Sequence, residues 1–292
     1  MPVDHEFGAQ HTELKLSIVE SYLKAFVTAL TPHFKELWYI DAFAGTGSRT
    51  VRVEARDGDL FDAPVPERVE QRRGSAQIAI DVRPPFHRLI FIESKPSHCD
   101  ALRALARQFS DRQINVVEGD ANRAIQSAIK RDGWSDTRAV LFLDPYGMEV
   151  EWKTLRAIAA TKAIDVWFLF SLSGLYRQAT RRSGNITRDK RAAIDKILGT
   201  KAWEKELYSD LGQNDLFENA DTQRTADVRG LEQYVKRRLE TIFAKVFEPL
   251  ALPIEQKPQR FSLFLAISNS DPKALGLATR IGNHILKVGS SS

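Results

Sequence analysis

The stretch Leu37-Trp38-Tyr39-Ile40-Asp41-Ala42-Phe43-Ala44-Gly45-Thr46-Gly47 constrains this chain more than any other. An apolar β-type run, Leu37 to Ile40, leads into an acid and then into a turn with Gly-x-Gly spacing. The first strand of an open α/β sheet ends in such a turn, because a backbone without Cβ atoms can be approached closely by a ligand. Thr50 stands where the longer Gly-x-Gly-x-x-Gly fingerprint has its third glycine, so that fingerprint is incomplete.

The remaining chain repeats the pattern. Arg88–Glu93 is a near-continuous apolar run, as a strand buried on both faces requires, and Ile114–Val117, Ala139–Leu143 and Ile164–Phe170 read as further strands. Helical periodicity falls between them, over 96–109, 124–130 and 155–160, which implies βαβ units and a mostly parallel sheet. A helix over 12–30, capped by Thr12 and ended by Thr31-Pro32, precedes the first strand; His11 and Lys15 read as solvated positions at its start. Alternating Val and Arg in 49–53 and a turn at Asp57-Gly58 predict an exposed hairpin within a long detour, 48–73, followed by a short helix over 76–82. The fold class is therefore α/β, a doubly wound Rossmann-type sheet. Residues 1–170 form its core, 171–230 a charged, partly helical insertion, and 231–292 the completion of the sheet. This last segment has a helix over 231–243, an interrupted strand at 245–252, a clear strand at 261–267, a helix over 272–287 and a frayed tail from Gly289.

A chain of 292 residues with 43% apolar residues has material for a full core. It has no apolar run near the ~18–20 residues of a membrane span, and Met1–Gln10 lacks the basic-then-apolar pattern of a secretory leader, so a cytoplasmic protein without a membrane partner is expected. The single Cys99 excludes an internal disulfide and a cysteine-built metal site; with His98 it lies at a helix start and reads as a buried thiol. A net charge of +4 permits a nucleic-acid partner without requiring one.

Four acids, Asp41, Glu93, Asp120 and Asp144, fall at the ends of successive strands, where open α/β sheets bind ligands. The run Asp41-x-Phe43-Ala44-Gly45-x-Gly47 resembles the first motif of S-adenosylmethionine (SAM)-dependent methyltransferases. With SAM as ligand, Asp41, Phe43, Gly45 and Gly47 would meet its methionine end and Glu93 its ribose hydroxyls. Asp120 and the Ala121 amide would meet its adenine. The alternative for such acids is that they cap the following helices. Asp144-Pro145-Tyr146-Gly147 resembles the Asp-Pro-Pro-Tyr motif of enzymes that methylate exocyclic amines of bases. A carboxylate and a proline-directed carbonyl would accept the amine hydrogens, and Tyr146 would offer a stacking face. The missing second proline departs from that pattern, and a strand-end turn with a buried Tyr146 is the other reading. Glu93-Ser94-Lys95 competes as a fragment of a Mg²⁺-dependent nuclease site, without an evident acid on the preceding strand. Arg177, Arg181, Arg182, Arg188, Lys190 and Arg191 form a basic run, opposed only by Asp189 and edged by Tyr176, suited to phosphates or to a solvated insertion.

Several motifs in order resemble the three-Cys-motif partner protein family. They are His11-Thr12 with Lys15 and Tyr22-Leu23, Tyr39 to Gly47, Gly74-Ser75, Phe91-Ile92-Glu93, Gly119 to Asn122, Phe142 to Met148, and Trp152 with Thr161 to Asp165, over about residues 11–210 and again near 264–269. The resemblance implies a class I methyltransferase-like fold in bacteria or phages, beside mobile elements or defence systems, with a three-cysteine protein as partner. It supplies no substrate. The leading expectation is SAM-dependent methyl transfer to an amine of a nucleic acid or nucleic-acid-associated substrate; a non-catalytic binding subunit and a nuclease are the alternatives.

Overall fold

The computed structural model describes residues 3–53, 68–130, 133–210, 222–253 and 259–290. Its strands are β1 (Glu36–Asp41), β2 (Ser48–Val53), β3 (Arg68–Arg73), β4 (Arg88–Glu93), β5 (Ile114–Glu118), β6 (Thr137–Leu143), β7 (Ile164–Ser171), β8 (Tyr208–Asp210), β9 (Thr222–Arg224), β10 (Lys245–Val246), β11 (Leu250–Leu252) and β12 (Phe261–Ile267). The helices are α1 (Val3–Leu30), α2 (Ser75–Asp81), α3 (Pro96–Arg107), α4 (Ala121–Ile129), α5 (Trp152–Ala160), α6 (Leu172–Gln178), α7 (Arg188–Leu198), α8 (Trp203–Leu207), α9 (Val228–Glu240) and α10 (Pro272–Ser290).

The main sheet runs β10-β12-β7-β6-β1-β4-β5, with β11 also on β12. The pairs β1/β4, β1/β6, β4/β5 and β6/β7 are parallel, and β12 enters antiparallel to β7, β10 and β11. This is a mostly parallel sheet with helices on both faces, the α/β class expected from the sequence. Strand order reverses beside β1, whose neighbours are β4 and β6, so a crevice opens beyond its C-terminal end.

The period of two sorts the strands onto two faces. Trp38, Ile40, Ile90, Ile92, Leu141, Leu143, Val166 and Phe168 pack with α4, α5, α6, α7 and α9. Leu37, Tyr39, Leu89, Phe91, Val140, Phe142, Trp167 and Leu169 pack under α1, α2 and α10. Each fully buried side chain of this size contributes about 1.5–3 kcal/mol, which is why the strands read as continuous apolar runs.

Three sequence readings need correction. Helix α1 begins at Val3, not residue 12: nothing in the polar 3–11 stretch breaks a helix, although it shows no apolar period. The 171–230 segment is not a solvated appendage, since Ile194, Ile197, Leu198, Trp203, Leu207 and Tyr208 are buried in the same core as the sheet. It also holds a short antiparallel pair, β8 and β9. The C-terminus does not fray at Gly289: α10 continues to Ser290, and a Cβ at Gly289 would stand 2.6 Å from Ile18 Cδ1. In the 48–73 detour β2 and β3 pair from Ser48↔Arg73 to Val53↔Arg68, and the turn assigned to Asp57-Gly58 lies outside the described residues. Among the described residues, no helix is long and apolar enough to cross a membrane.

At the opposite end of the sheet from the crevice, Tyr22 of α1 donates a 2.8 Å hydrogen bond to Asp165 Oδ2 beside a cavity of about 60 Å³ lined by Phe26, Phe34 and Arg138. Burial raises the Asp165 carboxyl to about 7, against the Tyr22 hydrogen bond and the Arg138 charge. The folded chain thus holds a proton there that the unfolded chain has already released above about pH 4. This term lowers stability as pH rises from about 4 to 7 and is flat above, a total of a few kcal/mol by order of magnitude. Asp165→Asn should flatten the pH dependence of unfolding in urea by about one proton over that window; an unchanged slope would contradict the assignment.

Candidate functional site

The loop after β1 is fastened to the strands on either side of it. Ala42 N donates to Phe142 O (3.1 Å), Ala44 N to Ile92 O (3.1 Å), and Gly45 N to Glu93 Oε2 (3.0 Å). Both glycines are left-handed, Gly45 at φ +59° and Gly47 at φ +80°. Their surroundings differ. A Cβ on Gly47 would lie 2.7 Å from Leu105 Cδ2, whereas one on Gly45 would meet nothing within 4 Å. Gly47 serves packing, and Gly45 leaves its backbone accessible. The hairpin β2/β3 leaves the loop at Gly47 and returns at Gly74, whose N–H donates to Gly47 O at 2.9 Å. Three of its arginines are held by acids of neighbouring helices: Arg49 and Arg72 by Glu13, and Arg73 by Glu20 and Asp81.

Glu93 is the brace of this loop. Its Oε1 accepts from Ser94 N (2.8 Å) and Lys95 N (2.9 Å), and Oε2 accepts from Gly45 N. Burial pushes the carboxyl up, but the three backbone N–H bonds and nearby His98 outweigh it and hold it below the usual range. His98 Nδ1 stands 3.6 Å from Oε2, too long for a hydrogen bond, so Oε2 keeps capacity for a further donor. Cys99 is fully buried, and its thiol donates to Glu93 O at 3.3 Å. Burial raises its pKa.

Asp41 is wholly buried at the end of β1, with Phe43 N and the Tyr39 hydroxyl each 3.3 Å from its carboxylate. Burial raises it to about 6; hydrogen bonds from Ser75 and Phe43 oppose this, and the Asp144 charge adds to it. Asp144, after β6, lies on the same side of the sheet. Its Oδ2 is ion-paired with Lys15 of α1, which is only 6% exposed and 5.8 Å from the Phe142 ring centroid. Lys15 is therefore not solvated but part of the site. A pair separated by 129 residues in the chain leaves no local signal, although the burial of the surrounding α1 face was visible in its periodicity.

Pro145 is buried and Tyr146 is 76% exposed, so the buried-tyrosine reading is corrected. Lys95 Nζ lies 5.3 Å from the Tyr146 ring centroid, which bridges the ends of β4 and β6 across the mouth. Asn122 anchors the loop beyond: its Nδ2 donates to Glu149 O (3.0 Å), and its Oδ1 accepts from Glu151 N and Thr154 Oγ1 (2.9 Å each). Asp120 is exposed and caps α4, accepting from Arg123 N at 3.0 Å; Ala121 opens that helix. Asp41, Gly45, Glu93 and Asp144 are thus gathered around the crevice, while Asp120 sits further out as a helix cap. Among the described residues, no group of three His, Cys, Asp or Glu side chains stands ready for a metal.

Helix α6 starts beside this mouth: a Cβ on Gly174 would lie 3.2 Å from Met148 Cγ. Arg177, Arg181, Arg182 and Arg188 are exposed, and Lys190 and Arg191 half-buried. Arg191 is committed to Glu204 (2.5 Å) and to Ser183 O (3.3 Å). Arg224, missed in the sequence because it comes from β9, stacks 3.9 Å from the centroid of the Tyr176 ring.

No protein-family model matches the chain, and no curated protein matches its sequence. The structure is similar to that of protein LPL1258 from Legionella pneumophila, with a TM-score of 0.46 and 13% identity over 90% of this chain and 89% of that one. It is also similar to the N-terminal domain of EvdMO1 with SAH bound, with a TM-score of 0.42 and 10% identity over 85% and 79%. A third similar structure is an S-adenosylmethionine-dependent methyltransferase from Clostridium acetobutylicum, with a TM-score of 0.35 and 9% identity over 85% and 90%.

Gly47→Ala should lower the unfolding free energy in urea by about 1–3 kcal/mol, through left-handed strain and overpacking against Leu105. Gly45→Ala bears only the first cost. Equal losses would show that Leu105 does not hold the loop.

Proposed function

We propose that this chain is a SAM-dependent methyltransferase acting on an amine of a nucleic acid. The observation that carries the reading is the convergence, at the C-terminal ends of the central strands, of an open glycine loop braced by Glu93 and an Asp-Pro-Tyr turn with its ring exposed. The residues fit the cofactor. Gly45 offers bare backbone where a Cβ would meet open space, Glu93 Oε2 keeps capacity for a hydroxyl, and Asp41 is a buried acid beside the same loop. Phe43, Gly47, Asp120 and Ala121 would complete the cradle. Bound there, SAM would supply an electrophilic methyl group: the amine lone pair forms the N–C bond, the S–C bond breaks with its electrons to sulfur, and the amine's surplus proton leaves to solvent.

The chain's own residues do the positioning. Asp144 and the Pro145 carbonyl accept the two amine hydrogens and turn the lone pair away from the ring. Tyr146, held from one side by Lys95, stacks the base. Arg177, Arg181, Arg182, Arg188 and Lys190 would bind phosphates, whereas Arg191 of the same run is held by Glu204. The motifs shared with three-Cys-motif partner proteins support a cytoplasmic role in a bacterial or phage defence or mobile-element setting, with a three-cysteine partner. A second reading, a non-catalytic nucleic-acid- or partner-binding subunit, is favoured by the Lys15 ammonium that already occupies one oxygen of Asp144.

Calorimetric titration with SAM tests the reading. Wild type should bind, Gly45→Ala should bind at least tenfold more weakly, and Asp144→Ala should bind within a few-fold of wild type while losing methyl transfer to nucleic acid. No binding by wild type would leave the binding-subunit reading, and equal loss of binding and turnover in Asp144→Ala would remove its positioning role.

A further inference from the structure

The Lys15–Asp144 pair bears on which amines the crevice can accept. Three charged side chains lie on its acceptor side, Asp41 of β1 within reach of the Asp144 charge and Asp144 paired with Lys15 of α1, while Glu93 braces the glycine loop and Lys95 lies beside Tyr146. Tyr39, Ser75 and Phe142 are their other neighbours, and none of these carries a charge at neutral pH. Lys15 and Asp144 cancel, and Asp41 adds one negative charge above about pH 6. SAM carries one net positive charge through its sulfonium, and transfer brings the acceptor within bonding distance of the methyl on that sulfur. A second cation in the same place, such as an alkylammonium group, would face both the sulfonium and Lys15, with the Asp144 charge already taken up by Lys15. Unlike charges a few ångströms apart in a partly desolvated site interact by several-fold to a hundredfold in equilibrium terms, and like charges by the inverse.

We infer that Lys15 is a specificity-determining residue: by neutralising Asp144 it makes the acceptor side of the crevice a site for a neutral, planar amine such as that of a nucleobase, and excludes lysine-type alkylamines. This rests on the SAM reading above and deepens it. Lys15 also leaves Asp144 Oδ1 as the oxygen open to an amine hydrogen, since the ammonium takes Oδ2.

The test compares SAM with SAH, which differ by the sulfonium charge, in wild type, Lys15→Met and Lys15→Arg, by calorimetry at pH 7.5. Thermal melting checks that each variant is folded. Lys15→Met leaves Asp144 unpaired, so the ratio Kd(SAM)/Kd(SAH) should fall at least fivefold; Lys15→Arg keeps the charge and should stay within twofold of wild type. A ratio unchanged in Lys15→Met, with both ligands bound, overturns the proposal and leaves the cofactor reading standing. Failure of wild type to bind either ligand overturns both. A second arm offers methyl-labelled SAM with a single-stranded oligonucleotide or a lysine-rich peptide. Label on the oligonucleotide alone supports the inference, and label on the peptide by wild type overturns it.

Discussion

The hydrogen bond from Gly45 N to Glu93 Oε2 joins the ends of two parallel strands and fixes the shape of everything above them. A buried carboxylate is costly unless its charge is met. Here three backbone N–H groups meet it, from Gly45, Ser94 and Lys95, and they hold it ionised despite burial. Each of these amides would otherwise be an unpaired donor at a strand end or helix start. One side chain therefore solves three local problems at once and sets the curl of the loop that carries Gly45. The left-handed Gly47 locks the far side of that curl against Leu105, and Gly74 returns the hairpin to the same point.

The second joint is made by α1. It lies over the face of the sheet that carries Tyr39 and Phe142, and it delivers Lys15 to Asp144 near the crevice and Tyr22 to Asp165 at the other end. The hairpin β2/β3 is tied to the same helix through Glu13 and Glu20. The glycine loop, the hairpin and Asp144 are thus coupled through one helix. The insertion packs against the opposite face, and Gly174 at the start of α6 lies against Met148.

What could be read in the sequence follows from which interactions are local. Strands β1, β4, β6 and β7 were legible because burial on both faces demands unbroken apolar runs. The Asp120 cap spans three residues and was visible as an alternative for that reason. Glu93 was legible as an acid at a strand end, but not as a brace, because its partner Gly45 is 48 residues away. Lys15 looked like a solvated position, since nothing near it in the chain announces Asp144. Tyr146 offered no pattern to tell an exposed ring from a buried one. In the insertion, the apolar positions Ile194, Ile197 and Leu198 are diluted among charges, and only the folded helix shows them on one buried face.

The central claim is that the Glu93-braced loop is a nucleoside-cofactor cradle. A crystal structure of the chain with SAH tests it most directly. The account predicts the amino-acid portion of the ligand against Gly45 and Gly47, with a ribose hydroxyl on Glu93 Oε2 and the sulfur facing Asp144. Ligand bound elsewhere, or a loop whose Gly45–Glu93 bond is closed over by other protein groups with no ligand beside it, would contradict it.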